Sequence, residues 1–330
     1  MCLIEENDRV NSVNNSSRYV IGIDIGGTNT KFGIVNSEGV IMVQGSMSTT
    51  GYPVFGDYVE QVCLELEKMI GKCGLEGHIQ AVGIGAPNAN FHEGTIESAP
   101  NLEWKGVVPL AKTFSVRLGL PVRVSNDANA AALGEMLYGT ARGMGNFIVL
   151  TLGTGVGGGV VANGKLVSGH DGLAGELGHV IIDNSPDARV CGCGRAGCLE
   201  AYCSASGIAR TADMMLAYTD TPSLLRNIEA PLSAEDIFLA AEQDDKIAKD
   251  IFEYTGNILG KALANFIAIL NPEAIIIFGG VSKAGGYLLE PVRRAIDDNV
   301  LPILKGKTQL LVSTLKDSDA AILGASAIAW

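Results

Sequence analysis

The chain has 330 residues with 24 basic and 36 acidic side chains, so its formal net charge is −12. This length is typical of two domains with a large core. The acidic balance argues against a nucleic-acid or anionic-membrane partner, since both require basic patches. Apolar residues make up 47% of the chain, too many for a disordered protein, and no apolar run reaches the length of a transmembrane helix.

Residues 1–18 are polar and lack the pattern of an export signal, and we predict a disordered or frayed tail there. The chain has seven cysteines. Without an export signal, this odd number favours a reducing cytoplasm over disulfide bonds. We therefore expect a cytoplasmic protein.

Strands and helices alternate from Tyr19 onward. Apolar runs and glycine turns predict three hairpin-linked strands, and helical spacing of apolar residues predicts a helix over 56–72. The elements predicted next are a strand over 79–84, a helix over 107–118, a strand over 122–125 and a helix over 127–138.

The same pattern then restarts, which indicates an internal duplication. A buried strand over 147–152 runs into a glycine turn over 153–159, and a strand resumes at Val160, much as in the first hairpin. The elements predicted beyond it are helices over 204–218, from 233, over 246–270, over 286–299 and over 318–329, with strands over 274–278 and 309–313. We predict a smaller domain of residues 19–126 plus 317–330 and a larger domain of 127–316, with a cleft between the related halves.

Two glycine turns after buried strands are candidate phosphate sites. Asp24-Ile-Gly-Gly-Thr28 with Lys31 offers a carboxylate, backbone N–H groups and a hydroxyl, although a plain hairpin turn explains the first stretch equally well. Gly153-Thr-Gly155 begins a formal G-x-G-x-x-G string, but it leads into a strand and not a helix, which excludes a dinucleotide fingerprint. Gly279-Gly280 forms a third such turn, of a kind that more often simply connects a strand to a helix.

Asp127 is the candidate general base. It lies where a predicted strand gives way to a predicted helix, and the helix dipole favours an ionised carboxylate there. An N-cap aspartate is the commoner role at such a position, so spacing alone leaves both interpretations open.

A histidine and three cysteines lie close together in the sequence and predict a metal site. His179, Cys191, Cys193 and Cys198 match a closed structural zinc centre with no open position for catalysis, and free buried thiols are the alternative. Glu176 and Glu200 flank this set. Carboxylates there could bind sugar hydroxyls, although either glutamate alone is more often solvated.

Together these stretches resemble the ROK family of bacterial sugar kinases and sugar-responsive repressors. The resemblance extends from about Tyr19 to the end of the chain, and its most specific part is Cys191-Gly-Cys-Gly-Arg-Ala-Gly-Cys-Leu-Glu200. It implies an α/β, two-domain actin-like ATPase (ribonuclease H-like) fold with duplicated βββαβαβα cores. This agrees with the duplication predicted from the residues.

The resemblance also implies roles for individual residues. Asp127 is similar to the family's catalytic base, and Asp24 to an anchor for Mg²⁺. The sugar-binding set implied is Asn101, Asn126, Glu176, His179 and Glu200. The nucleotide-binding set implied is Gly27, Thr28, Lys31, Thr154, Gly155, Gly279 and Gly280. His179 is implied to serve both the zinc ion and the sugar.

The implied activity is ATP-dependent phosphorylation of a hexose 6-hydroxyl, with glucose first and N-acetylmannosamine, N-acetylglucosamine or fructose as alternatives. The implied cofactors are ATP, Mg²⁺ and structural Zn²⁺, and the implied assembly is a homodimer or homotetramer. A catalytically silent sugar sensor is the alternative from another class. Fewer than twenty residues precede the first predicted strand, so we expect no DNA-binding domain.

Overall fold

The computed structural model of the protein describes residues 18–99, 101–229 and 231–330. The predicted tail therefore lies outside the described residues except for Arg18. The regular elements are β1 (Tyr19–Ile25), β2 (Asn29–Asn36), β3 (Ile41–Ser48), α1 (Phe55–Cys73), β4 (Ile79–Gly85), β5 (Ala89–Asn90), β6 (Thr95–Glu97), β7 (Val107–Val108), α2 (Leu110–Leu118), β8 (Val122–Ser125), α3 (Asp127–Leu137), β9 (Phe147–Leu152), β10 (Val156–Ala162), β11 (Lys165–Leu166), α4 (Glu200–Cys203), α5 (Ala205–Tyr218), α6 (Ala234–Glu242), α7 (Lys246–Leu270), β12 (Ala274–Phe278), α8 (Gly286–Asn299), β13 (Gln309–Val312) and α9 (Asp317–Ala329).

The chain forms two compact units. Within the described residues the first unit comprises 18–143, 166–174 and 314–330. Its five-stranded sheet has the order β3-β2-β1-β4-β8, in which β1, β2 and β3 are antiparallel neighbours and β1, β4 and β8 run parallel. The carboxyl ends of the three parallel strands therefore share one edge of the sheet. A small sheet of order β5-β6-β7 completes the unit.

Glycines inside the strands allow α9 to lie directly on the first sheet. Gly22 pairs with Gly33 on one side and with Gly83 on the other. A Cβ at Gly22 would lie 2.2 Å from the carbonyl oxygen of Ile322, and one at Gly83 would lie 2.0 Å from that of Ala325. A residue with a Cβ at either position would therefore force the helix to move away from the sheet.

The boundaries of the first unit differ from those predicted. Residues 127–143, predicted in the larger domain, belong to the first unit because α3 packs on α9. At this crossing a Cβ on Gly134 would lie 3.0 Å from the Cα of Gly324. The short segment 166–174 also belongs to the first unit, which the sequence pattern does not indicate.

The second unit comprises 144–165 and 175–313, within the described residues. Its sheet has the order β11-β10-β9-β12-β13, with β9 and β10 antiparallel and β9, β12 and β13 parallel. The two sheets have the same order of strands, since β11, β10, β9, β12 and β13 occupy the places of β3, β2, β1, β4 and β8. The predicted duplication is therefore confirmed.

Two predicted elements are wrong in detail. The helix predicted from Val107 begins at Leu110, because Val107–Val108 pairs with β6 and Pro109 precedes the helix. The glycine turn predicted over 153–159 is shorter, since β10 already begins at Val156. A Cβ at Gly158 would lie 2.5 Å from the carbonyl oxygen of Gly175, so this glycine lets the chain at Gly175 lie directly against β10. Among the described helices, none combines the length and apolar character that crossing a membrane requires.

Candidate functional site

In the first unit, the turn between β1 and β2 carries the first group of predicted residues. The Gly26 N–H donates to the Asn29 carbonyl at 3.0 Å and closes the turn. A Cβ on Gly27 would lie 3.0 Å from the carbonyl oxygen of Asn101, so Asn101 packs directly against the turn. Thr28 and Lys31 are exposed, and Lys31 lies opposite Asp24 in the antiparallel register.

Asp24 titrates unusually for a carboxyl group. Its pKa is raised from 3.8 to about 6, chiefly by burial and secondly by the nearby Asp127 carboxylate, while Lys31 opposes the rise. Two carboxylates that repel each other at the ends of parallel strands would be stabilised by a bound cation. Asp24 therefore fits the predicted role of Mg²⁺ anchor.

Asn126, and not Asp127, caps α3. The Asn126 Oδ1 accepts the Asn129 N–H at 2.7 Å, which is the capping hydrogen bond. Asp127 follows as the first helical residue, with an exposed side chain whose Oδ1 accepts the N–H of Ala128 at 2.8 Å. The N-cap alternative for Asp127 is thus wrong. Its exposed carboxylate lies at the N-terminal end of α3, directly after the carboxyl end of β8.

In the second unit, the turn Gly153-Thr154-Gly155 leads from β9 into β10. The Gly153 N–H donates to the Gly155 carbonyl at 3.0 Å, and the Ala205 N–H at the start of α5 donates to the Gly153 carbonyl at 2.8 Å. The Thr154 side chain is exposed. The first residue of α5 therefore fixes the turn through this hydrogen bond, and the exposed Thr154 side chain is accessible to a ligand.

A cavity of about 430 Å³ opens beside this turn. Its lining residues come from the turn, the start of α5, α6, α7 and the segment after β12: Gly153, Thr154, Ala205, Ser233, Ala234, Glu235, Phe238, Phe252, Gly280, Val281, Lys283 and Ala284. Gly279 adjoins it with φ +103°, and a Cβ there would lie 2.5 Å from the carbonyl oxygen of Leu152. The cavity has the volume and partly apolar wall of a small-molecule site.

The four predicted metal ligands come together in the second unit. The ligand atoms of His179, Cys191, Cys193 and Cys198 all lie within 4.8 Å of one another. The Cys191 Sγ is 3.8 Å from His179 Nδ1, and the Cys193 and Cys198 Sγ atoms are 3.7 Å apart. One imidazole and three thiols at this spacing fit a tetrahedral zinc centre with no open position. These four residues would hold Zn²⁺.

Glu200 lies between the cysteine cluster and the glycine turn. Its Oε1 is 3.4 Å from the Cys191 Sγ, and its Oε2 accepts the Val156 N–H at 2.9 Å. A Cβ on Gly155 would lie 2.5 Å from the same Oε2. The carboxylate of Glu200 therefore occupies the space above Gly155, and it would have to move, away from its bond to Val156, to admit a side chain at position 155.

The ring of His179 faces two groups. While Nδ1 lies near Cys191, Nε2 is 3.9 Å from the Glu176 carboxylate, which is exposed. The structure thus brings together Glu176, His179, Glu200 and the three cysteines in one unit, and Asp24, Lys31, Gly27, Asn101 and Asp127 in the other.

Three residues that line the cavity were not predicted from the sequence: Ser233, Phe238 and Lys283. The capping pattern Ser233-Ala-Glu-Asp236 marks only the start of α6, with nothing to indicate a cavity.

Comparisons with known proteins agree on one family. The ROK family profile matches residues 20–330. A glucokinase from Halalkalibacterium halodurans is 36% identical over 313 residues, which cover 94% of both chains. A crystal structure of a ROK family glucokinase from Streptomyces griseus, in complex with glucose and AMPPNP, superposes with a TM-score of 0.75 at 35% identity and covers 94% of this chain and 99% of that one.

Relatives with other activities match as well. An N-acetylmannosamine kinase from Escherichia coli O157:H7 is 33% identical, over 81% of this chain and 85% of its own length. A xylose repressor from Caldicellulosiruptor bescii is 33% identical, over 76% of this chain and 62% of its own length. The similarity therefore extends to a kinase named for a different sugar and to a repressor.

Proposed function

The chain belongs to the ROK family, and from this membership we propose that it transfers the γ-phosphoryl group of ATP to the 6-hydroxyl of a hexose, with glucose as the preferred sugar. The relatives show that the chain is a sugar kinase. The choice of glucose is supported by the glucokinases among these relatives.

The observation that carries the proposal is the placement of Asp127. Its carboxylate is not used as a helix cap, is exposed, and lies close enough to Asp24 to raise the pKa of that group. As a general base it would accept the proton of the 6-hydroxyl while the sugar oxygen forms its bond to the γ-phosphorus. The bond from that phosphorus to the departing ADP oxygen breaks in the same transfer.

The remaining groups would position the reactants and offset charge. Thr154, Gly155, Gly27, Thr28 and Lys31 offer hydroxyl, N–H and ammonium donors to phosphate oxygens, and Asp24 would hold Mg²⁺. The cavity beside Gly279-Gly280 suits the adenosine of ATP in size. Mg²⁺ held by Asp24 would supply positive charge beside the phosphates, which the chain with its net charge of −12 does not provide overall.

The sugar would be bound by Asn101, Asn126, Glu176, His179 and Glu200. Carboxylates and amides recognise neutral hydroxyls by paired hydrogen bonds. Zn²⁺ in the cysteine cluster would fix the ring of His179 and its protonation state, so Nε2 keeps a defined role towards the sugar. The metal would have this structural effect without taking part in the transfer.

We also propose that the chain assembles as a homodimer or homotetramer, which light scattering tests.

A substrate panel tests the proposal. Purified protein with MgATP is assayed for ADP release with glucose, fructose, N-acetylglucosamine and N-acetylmannosamine, with Asp127→Asn as the inactive control. The expected result is the highest kcat/KM with glucose. The highest kcat/KM with N-acetylmannosamine would transfer the assignment to the activity of that relative. Sugar binding without ADP release from any sugar would establish the sensor alternative.

A further inference from the structure

A buried side chain in the first unit holds the chain just before the proposed sugar residues. Residues 166–174, here called the tether segment, belong to the first unit, whereas the residues on either side of it belong to the second. Glu176 follows only two residues after the end of this segment. What fixes the tether segment therefore bears on where Glu176 can lie.

Asn90 uses its whole hydrogen-bonding capacity at this place. It is 5% exposed, and its Oδ1 accepts the N–H groups of His92 at 3.0 Å and Glu93 at 3.1 Å. Its Nδ2 donates to the Glu97 carboxylate and to the carbonyl oxygen of Asp171, both at 3.0 Å. An asparagine has two donors and one oxygen with two lone pairs, so all four bonds are made. Three of them serve the β5–β6 hairpin and one holds the tether segment.

Close packing reinforces this contact. Gly172 has φ +78°, and a Cβ there would lie 2.8 Å from the Asn90 Oδ1 and 3.3 Å from the Phe91 nitrogen. The His92 Nε2 is 3.3 Å from both the Ser168 hydroxyl and the Gly169 carbonyl oxygen. The tether segment also closes on itself, because the Ala174 N–H donates to the Ser168 carbonyl at 3.0 Å.

The chain is anchored again almost at once. The carbonyl of Gly175 lies against Gly158 of β10, where a Cβ would be only 2.5 Å from it. Only residues 172–174 separate the bond at Asp171 from this second anchor, and Glu176 and His179 follow directly. A buried amide that is fully bonded has one stable position, since breaking its bonds leaves buried polar groups unpaired.

We propose that Asn90 is a positioning residue for sugar binding: its bond to Asp171 sets the path of the chain that carries Glu176 and His179. This inference rests on the proposed sugar-kinase function. Asn90 is not itself required to contact the substrate. Its effect is expected on sugar affinity, with nucleotide affinity unchanged.

The test uses Asn90→Asp. An aspartate keeps the oxygen that accepts from His92 and Glu93, so the two bonds that close the hairpin turn remain. It loses both donors, so the bond to Asp171 is lost, and the bond to the Glu97 carboxylate is replaced by repulsion between two carboxyl groups. Gly172→Ala disturbs the packing of the tether segment against Asn90, because its Cβ would lie 2.8 Å from the Asn90 Oδ1 and its φ of +78° disfavours a side chain. Asn36→Asp is the matched control, because Asn36 Oδ1 also accepts two backbone N–H groups, from Glu38 and Val40, at a distance in sequence from the tether segment.

Asn90→Asp is expected to raise the KM for the sugar about tenfold, the effect of losing the one buried hydrogen bond that holds the tether segment. Gly172→Ala is expected to raise the sugar KM as well, and the KM for ATP is expected to stay within about twofold of wild type in both variants. The double variant is expected to be no worse than the more affected single one. Hydrogen exchange without ligands is expected to be faster for the amides of residues 173–179 in both variants and unchanged in Asn36→Asp.

An equal rise in both KM values, or an unchanged sugar KM with unchanged exchange at 173–179, would overturn the proposal. Faster exchange at 173–179 with an unchanged sugar KM would also overturn the role in sugar binding. If the wild-type protein phosphorylates no sugar, the proposed function fails by itself. The exchange experiment then still decides whether Asn90 holds the chain at 173–179.

Discussion

Replacing Asp24 with asparagine is expected to stabilise the protein while it abolishes catalysis. Burial and the Asp127 carboxylate raise the pKa of Asp24 from 3.8 to about 6. At about 1.36 kcal/mol per pH unit, this rise corresponds to about 3 kcal/mol by which ionisation of Asp24 destabilises the fold above pH 6. Asparagine has nearly the same shape and no charge, so the variant is expected to have a free energy of unfolding about 3 kcal/mol higher than wild type above pH 6.

The sign follows from proton binding. Between pH 3.8 and about 6 the folded chain holds a proton on Asp24 that the unfolded chain has released. The contribution of Asp24 to the free energy of unfolding therefore falls as the pH rises through that window. The gain in Asp24→Asn is expected to be near zero at pH 3.8, about half its full size at pH 5 and complete at pH 7.5.

The measurement is urea unfolding of both proteins across this pH range, without added Mg²⁺ or nucleotide. Because Asp127 contributes to the raised pKa, the gain is expected to shrink when Asp24→Asn is made in an Asp127→Asn background. Equal unfolding midpoints for wild type and Asp24→Asn at pH 7.5 would refute the reasoning, as would a gain of the same size at pH 4. Kinase activity of the variant is expected to be lost, since Asp24 is the proposed Mg²⁺ anchor.

Three further predictions concern the proposed base, the proposed zinc site and the glycine turn after β9. Asp127→Asn is expected to lower turnover about a thousandfold or more while glucose binding, measured by calorimetry, is largely kept; near-normal turnover would contradict its role as base. Elemental analysis is expected to find one zinc per chain in the reduced protein and much less in Cys198→Ser; a folded wild type without zinc would refute the metal site. Gly155→Ala places a Cβ 2.5 Å from the Glu200 carboxylate and is expected to lower both the melting temperature and kcat/KM. Gly153→Ala, whose Cβ meets nothing within 4 Å, is the control and is expected to melt as wild type does.

Much of the site was predictable because its chemistry is encoded in short stretches. Residue type and spacing within about twenty positions were enough to predict the cysteine and histidine set, and the structure places their ligand atoms within 4.8 Å of one another. The repeated strand, glycine turn and strand predicted the duplication, which the matching strand orders of the two sheets confirm. Both inferences depend on local patterns that the chain carries wherever it folds.

Other features depend on residues that are distant in the sequence. Glycines at 22 and 83 are explained only by α9, which arrives some 240 to 300 residues later and leaves no room for a Cβ. The strands of the small sheet have two or three residues, too few to show a period of two. The cavity beside Gly280 is built from segments that begin at residues 153, 205, 233, 252 and 280.

Sequence alone therefore determined the kinds of chemical group that this protein presents, its two related halves and the family to which they belong. Tertiary structure decided that Gly22 and Gly83 leave the room that α9 needs, and that Glu200 fills the space above Gly155. The physical reason is that hydrophobic periodicity and turn chemistry act between neighbours, whereas steric fit and hydrogen-bond pairing are settled only when distant segments meet.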